Sequence, residues 1–178
     1  MSPPRSFAAS QAAAALVVAA LLAGCTSSPP QLTDPLAGVD WERHVRDCSV
    51  DQGGSGLGTV IDTVAKGEIT GDDRLDTLVV NRCESRTSSW PQQIEVFDGA
   101  SDPAAPRRLG VLLDGDSDYP RDVTVTVEPD GRVVIVGRGL SATAPLCCPD
   151  LTVRRVYRYD GGAFALVEST ASPAASAS

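Results

Sequence analysis

The sequence predicts a mainly β domain, an antiparallel β-meander of about eight short strands that curls as a twisted sheet or an open barrel. From Gly58 onward, Val-rich runs alternate apolar with polar residues, as strands with one buried face do. Gly, Asp and Pro separate these runs, and no helical pattern of useful length interrupts them. Because the connections are too short for parallel crossovers, consecutive strands are expected to run antiparallel.

The turns between the expected strands are recognisable from their residues. In "VTVTVEPDGRVVIVGR", Gly131 stands between two alternating runs and can take the positive φ that a hairpin needs. The run "RVYRYDGGAFALV" repeats this pattern at Gly161 and Gly162. The expected strands are Thr59–Ile69, Asp76–Cys83, Gln93–Phe97, Arg108–Leu113, Asp122–Glu128, Arg132–Arg138, Leu151–Tyr159 and Ala163–Glu168.

The segment that precedes these strands, "DPLAGVDWERHVRDC", has two interpretations. Trp41, Val45 and Cys48 have the spacing of one helix face. Strict alternation from Trp41 instead predicts a first strand. The sequence leaves both open.

The N-terminus has the pattern of a bacterial lipoprotein signal. Arg5 is followed by an Ala-rich apolar run with no carboxylate before Cys25, so residues 1–24 are expected to form a signal peptide. The "LAGC" ending at Cys25 resembles the lipobox, in which the cysteine thiol receives a diacylglyceryl group and the signal is cut before it. This resemblance implies an acylated Cys25 that holds the protein on the extracytoplasmic face of the cell membrane. The alternative is an ordinary secretory signal with an incidental cysteine.

Composition divides the rest of the chain into three parts. Residues 25–39 are polar and Pro-rich and are expected to form a disordered tether. Residues 40–169 form the single β domain, which is expected to be a monomer, and residues 170–178 a disordered tail. The abundance of Ala, Gly, Asp and Val, with Lys66 as the one lysine, is typical of a GC-rich genome such as that of an actinobacterium.

Charge excludes some classes of partner and site. The 178 residues carry a net charge of −8, and without Arg5 the remaining 14 basic and 23 acidic side chains give −9. Such a surplus of carboxylates argues against binding to nucleic acid. Because His44 is the one histidine, a histidine metal cluster is excluded, and His44 is expected to lie on the surface.

Four cysteines remain after Cys25, an even number that indicates disulfides in an exported chain. A bond between the adjacent Cys147 and Cys148 is disfavoured, because neighbouring Cα atoms lie about 3.8 Å apart and disulfides usually need about 4.4 Å or more. In an extended segment the two side chains point to opposite sides. We therefore expect Cys83 to pair with one of them and Cys48 with the other. The spacing matches no usual zinc motif.

The stretch "KGEITGDDRLDTLVV" resembles the calcium loops of FG-GAP and EF-hand-like proteins, where oxygen ligands recur at alternate positions. Asp73 stands where such loops have glycine, and no bidentate glutamate follows. A polar hairpin turn bent at Gly71 is the favoured interpretation, so no cofactor is expected, and calcium is the alternative. The side chains that would hold calcium are Glu68, Thr70, Asp72 and Asp76.

Other stretches give weaker signals. Asp114, Asp116 and Asp118 in "LLDGDSDYP" are expected to form a solvated turn. No serine lies in a Gly-x-Ser-x-Gly motif. Four aromatic residues either line a binding surface or pack in the sheets: Trp90, Tyr119, Tyr157 and Tyr159.

Taken together, the lipobox, "ITGDDRLDTLVVNRC", "APLCCPD" and "VYRYDGGAFALV" make the chain similar to the actinobacterial LppP/LprE-type lipoproteins from about Asp40 to Val167. This resemblance implies a membrane-anchored envelope protein of no settled activity and supplies no catalytic residues.

The sequence thus favours a non-enzymatic envelope lipoprotein that binds a protein, a glycan or a small ligand through a sheet face or its loops. One alternative is a calcium-dependent binding module built on the loop at 68–76. Another is a hydrolase whose residues come together from distant strands.

Overall fold

The computed structural model of the protein describes residues 31–48, 57–84 and 90–175. Within these ranges, eight strands form two open four-stranded antiparallel sheets, and each sheet is a meander in chain order. This confirms the predicted mainly β, antiparallel fold, with the meander divided between two sheets after its fourth strand. The strands are β1 (Thr59–Gly67), β2 (Asp76–Cys83), β3 (Gln93–Phe97), β4 (Arg108–Leu112), β5 (Arg121–Val127), β6 (Val133–Gly139), β7 (Leu151–Tyr159) and β8 (Phe164–Pro173).

The two sheets share one apolar core. Leu78 of β2 and Ile94 of β3 belong to the same buried cluster as Val133 and Ile135 of β6. In β5 and β6, burial alternates along the strand, because one face of the second sheet meets the core and the other meets water. In β2 and β3 nearly every residue is buried, so the first sheet is covered on both faces.

The N-terminal segment, residues 33–48, provides this second cover. Leu36 is fully buried and packs with Trp41 and Val45 against Val79 and Phe97 on the outer face of the first sheet. The free energy gained by burying the apolar surface of these five side chains holds the segment in place.

The positions of the N-terminal segment and of β8 differ from two boundaries expected from the sequence. The expected tether extends to residue 39, yet Thr33 pairs with Arg74 in a parallel bridge and Leu36 is part of the core. The ambiguous stretch forms a short 3₁₀ helix at Trp41–Arg43 and no strand. At the other end of the domain, β8 continues beyond the expected boundary at residue 169, to Pro173.

The disulfide pairing differs from the expected one. Cys48 bonds to Cys83 across a Cα–Cα distance of 5.4 Å, because the N-terminal segment brings Cys48 to the end of β2. Cys147 bonds to Cys148 in the exposed loop between β6 and β7. The prediction that the adjacent cysteines clamp two separate segments is therefore wrong, although all four cysteines form disulfides.

Residues 1–24 and Cys25 lie outside the described residues. Among the residues that are described, no helix is long and apolar enough to cross a membrane.

We predict that Leu36→Ala lowers the free energy of unfolding by about 2–4 kcal/mol, because it removes a fully buried side chain from the contact between the N-terminal segment and the first sheet. Urea denaturation measures this loss. The matched control is Leu32→Ala, at a side chain that is 45% exposed, where a change within about 0.5 kcal/mol is expected. If Leu36→Ala costs as little stability as Leu32→Ala, the segment does not stabilise the domain.

Candidate functional site

The acidic loop between β1 and β2 uses its carboxylates to hold its own backbone. The buried Asp76 accepts hydrogen bonds from the backbone N–H groups of Ile69 at 2.9 Å, Thr70 at 3.1 Å and Gly99 at 2.8 Å. Burial raises the pKa of the Asp76 carboxyl, while the three N–H donors favour its ionised form. Asp76 thus joins the loop to the turn that follows β3.

Two other candidate calcium ligands, Glu68 and Asp72, accept hydrogen bonds from the backbone of the loop. Glu68 accepts from the N–H groups of Gly71 at 2.6 Å and Asp73 at 2.8 Å, and Asp72 accepts from Arg74 N at 3.0 Å. Among the described residues, no group of three or more His, Cys, Asp or Glu side chains is placed to hold a metal ion. These contacts are those of a polar hairpin turn, the favoured interpretation of the sequence, and calcium binding at the loop stays an untested alternative.

The backbone of this loop is strained at Asp73, the position where calcium loops of this kind have glycine. Asp73 has φ 63° and Gly71 has φ 83°, both in the left-handed region. A non-glycine residue reaches this region at a steric cost, which the Glu68 hydrogen bond to Asp73 N offsets.

The second acidic stretch belongs to a partly buried ion-pair cluster, so the expectation of a solvated turn is wrong for two of its three aspartates. Arg155 of β7 is nearly buried, its Nε lies 3.2 Å from Asp116 Oδ2, and its Nη2 contacts Asp118. Burial raises the pKa of the Asp116 carboxyl, and the charge of Arg155 opposes that shift. The pairing joins the turn before β5 to the second sheet, while Asp114 stays exposed.

A different place in the fold has the features of a ligand site. A cleft of about 270 Å³ lies where β1 and β5, the outer strands of the two sheets, pack beside each other. We call it the Trp90 cleft, because the side chain of Trp90 is 41% exposed there. Its lining residues are Asp62, Arg82, Trp90, Gln92, Arg121 and Asp122.

Two β-bulges bring side chains into the Trp90 cleft. The register of β1 shifts between Ile61 and Thr63, which leaves Asp62 without a partner across the ladder. The register of β5 shifts after Arg121, where Asp122 has φ 51°. Bulges redirect side chains and often lie beside functional sites. Here both bulges occur on the strands that border the cleft.

Gln92 fixes the relative positions of the cleft walls. Its backbone N–H donates to Pro120 O at 2.8 Å, its Nε2 donates to Asp62 Oδ2 at 2.6 Å, and its Oε1 accepts from Val123 N at 2.9 Å. Arg82 Nε lies 3.2 Å from Asp62 Oδ1. The carboxylate of Asp62 is therefore held by an amide and a guanidinium.

Arg121 is the unusual member of the cleft. The residue is 8% exposed, and its Nη1 donates to Leu146 O at 2.6 Å. Its Nε is buried and has no hydrogen-bond acceptor, and no carboxylate of the described residues lies within ion-pair distance of the guanidinium. A buried charge without a counter-charge is costly and therefore uncommon.

A smaller cavity of about 170 Å³ adjoins the cleft and shares Arg82, Trp90 and Gln92 with it. Behind this cavity, Asn81 Nδ2 donates to the buried Glu95 at 3.1 Å, and Gln93 Nε2 donates to Asn81 Oδ1 at 3.1 Å. These side chains satisfy one another, so they form a supporting wall.

Of the aromatic residues singled out from the sequence, only some are available to a ligand. Trp90 and Tyr119 are exposed, whereas Tyr157 belongs to the core and Tyr159 packs on Phe164 with ring centroids 5.0 Å apart. His44 lies edge-on to Trp41 at 6.3 Å and does not line the Trp90 cleft. Arg121 could not be singled out from the sequence, because a buried arginine in a strand looks like any other polar position of an alternating run.

The fold and the cleft define an all-β, two-sheet domain with a small polar cleft at the sheet junction. Comparison of the chain with protein-family models, with curated proteins and with solved structures finds no match.

We predict that Asp76→Ala lowers the free energy of unfolding by about 3 kcal/mol or more, because two buried N–H groups and one partly buried N–H group lose their acceptor. Asp72→Ala, in the same loop but exposed, is the control and is expected to cost less than about 0.5 kcal/mol. Thermal unfolding with and without millimolar calcium should show little dependence on the ion. A calcium-dependent rise in melting temperature that either substitution abolishes would contradict the polar-turn interpretation.

Proposed function

We propose that the protein is a membrane-anchored cell-envelope lipoprotein, without enzymatic activity, whose β domain binds a small ligand or part of a glycan in the Trp90 cleft. The observation that carries this proposal is the exposed indole of Trp90 beside the buried guanidinium of Arg121. Pockets that recognise ligands commonly combine an aromatic surface with a few polar groups held in place.

The construction of the cleft supports a binding role. Gln92 and the two bulges hold its walls through hydrogen bonds, so little order has to be gained when a ligand enters. The volume of the cleft, about 270 Å³, suits a ligand the size of a single ring better than the surface of a partner protein. A tryptophan that is partly exposed contributes apolar area and an N–H donor at low entropic cost.

The chemistry of the lining favours binding over catalysis. Among the described residues, those that line the cleft include no histidine, serine or cysteine. Asp62 is held by Arg82 and Gln92, and an arginine does not exchange protons near neutral pH. Asp122 keeps a carboxylate with free acceptor capacity in the cleft, but no hydroxyl or thiol nucleophile accompanies it among the described lining residues.

The sequence of the N-terminus supports the anchored location. The apolar run before Cys25 and the "LAGC" motif have the order found in lipoprotein signals. The resemblance to the LppP/LprE-type lipoproteins agrees with the same location.

We predict that Cys25→Ala releases the protein into the medium or leaves the signal uncleaved, because the thiol that receives the lipid is lost. Cell fractionation with immunoblotting measures both outcomes, and Cys25→Ser serves as a near-isosteric comparison. A variant that stays on the membrane at the mature size would overturn the lipoprotein assignment.

We predict that glycan fragments and small molecules released from the cell envelope protect Trp90 from acrylamide quenching. The chain has two tryptophans, of which Trp41 is 8% exposed and Trp90 is 41% exposed, so quenching of the mature protein reports mainly on Trp90. Trp90→Phe retains the Trp41 signal and provides the control. Absence of saturable protection by every envelope fraction would overturn the proposed binding role.

A further inference from the structure

We infer that the Trp90 cleft recognises a sugar acid, with the ligand carboxylate on Arg121 and one face of the sugar ring on Trp90. This inference rests on the proposed function and names the ligand class of the same site.

The charge of Arg121 is the starting point. The other nearly buried arginine, Arg155, has two carboxylate partners, Asp116 and Asp118. Arg121 is equally buried but makes a single hydrogen bond to a backbone carbonyl. Within residues 31–48, 57–84 and 90–175 no carboxylate pairs with it. An anion is therefore the ligand group that this position favours most.

The geometry of the guanidinium selects a planar anion. Nη1 is committed to Leu146 O, which leaves the edge formed by Nε and Nη2. Two parallel N–H groups on one edge match the two oxygens of a carboxylate. The Nε donor on that edge is buried and has no acceptor in the protein, so a carboxylate meets both N–H groups only after a small shift of the Arg121 side chain toward the cleft.

The other charges of the cleft leave the charge of Arg121 uncompensated. Asp62 is neutralised by Arg82 and accepts from Gln92, so that part of the wall carries no net charge. Asp122 is exposed and lies 3.9 Å from Arg138 across the bulge. A carboxylate on Arg121 thus meets one unpaired cation, while Asp122 can accept hydrogen bonds from ligand hydroxyl groups.

The ring is inferred from Trp90 and from the volume of the cleft. The partly exposed indole lines a space of about 270 Å³, which fits a single ring, and can offer an apolar face to it. A molecule with an apolar ring face, several hydroxyl groups and one carboxylate matches these three features together. Uronic acids and amino sugars with a lactyl group both have this chemistry.

Titration of the mature protein with matched sugars tests the inference through acrylamide quenching of Trp90. The pairs are methyl glucuronoside against methyl glucoside, and N-acetylmuramic acid against N-acetylglucosamine. We expect at least one acid to bind about tenfold or more tightly than its neutral counterpart, and added salt to weaken that binding. Which pair responds identifies the source of the carboxylate.

Variants connect the effect to Arg121. Arg121→Lys retains the charge but not the two-donor edge and should remove most of the preference for the acid. Arg132→Gln changes an exposed arginine at the opposite end of the β5–β6 hairpin and should leave the preference unchanged. Thermal unfolding establishes that each variant is folded, and the comparison of acid with neutral sugar on the unaltered protein needs no variant.

The results distinguish two claims, that the Trp90 cleft binds a ligand and that this ligand is a sugar acid. Equal affinity for acid and neutral sugars, or an unchanged preference in folded Arg121→Lys, would overturn the carboxylate assignment and leave the binding role standing. Protection of Trp90 by envelope fractions but by none of the four sugars would overturn the sugar-acid class alone. Absence of protection by the sugars and by the envelope fractions would overturn the binding role itself.

Discussion

Cover of the first sheet on both faces is the constraint on which the rest of the domain depends. β2 and β3 are buried almost throughout, so the second sheet can shield only half of their apolar surface. The N-terminal segment shields the other half through Leu36 and Trp41. The same packing brings Cys48 to Cys83 and places Arg46 N 2.8 Å from the buried Glu95. The wall behind the Trp90 cleft therefore depends on a segment that precedes every strand of the sheets.

The carboxylates of this acidic chain serve mainly as structural acceptors. Asp76 and Glu68 bind backbone N–H groups, while Asp116 and Asp118 hold Arg155. Asp76, Asp116 and Asp118 satisfy donors that are buried or partly buried, which is the condition for keeping polar atoms inside a fold, whereas Glu68 binds N–H groups at the surface. Arg121 departs from this pattern, and its departure at the cleft gives the site its chemical character.

The strands could be predicted from sequence because their signals are local. Alternation and turn residues such as Gly131 placed all eight strands within a few residues of their observed limits. The division into two sheets, the Cys48–Cys83 bond and the Arg155 cluster depend on contacts between residues far apart in the chain, which periodicity does not contain. Trp90 could be singled out as an exposed-aromatic candidate, whereas Arg121 acquires its role from the bulge at Asp122 and the loop carbonyl of Leu146.

The bridge between Thr33 and Arg74 has a consequence for the distance between the cleft and the membrane. It joins the N-terminal segment to the β1–β2 turn, whereas Asp62 and Arg82 lie at the opposite end of these strands. From Cys25 to Thr33 the chain has eight residue steps, at most about 28 Å when fully extended. In the proposed lipoprotein, a lipid on Cys25 keeps the β1–β2 turn within about 28 Å of the bilayer, and the cleft lies about 20 Å from that turn along the strands. The proposed anchor would therefore hold the cleft within about 50 Å of the bilayer, which limits the ligands it meets to those near the membrane surface.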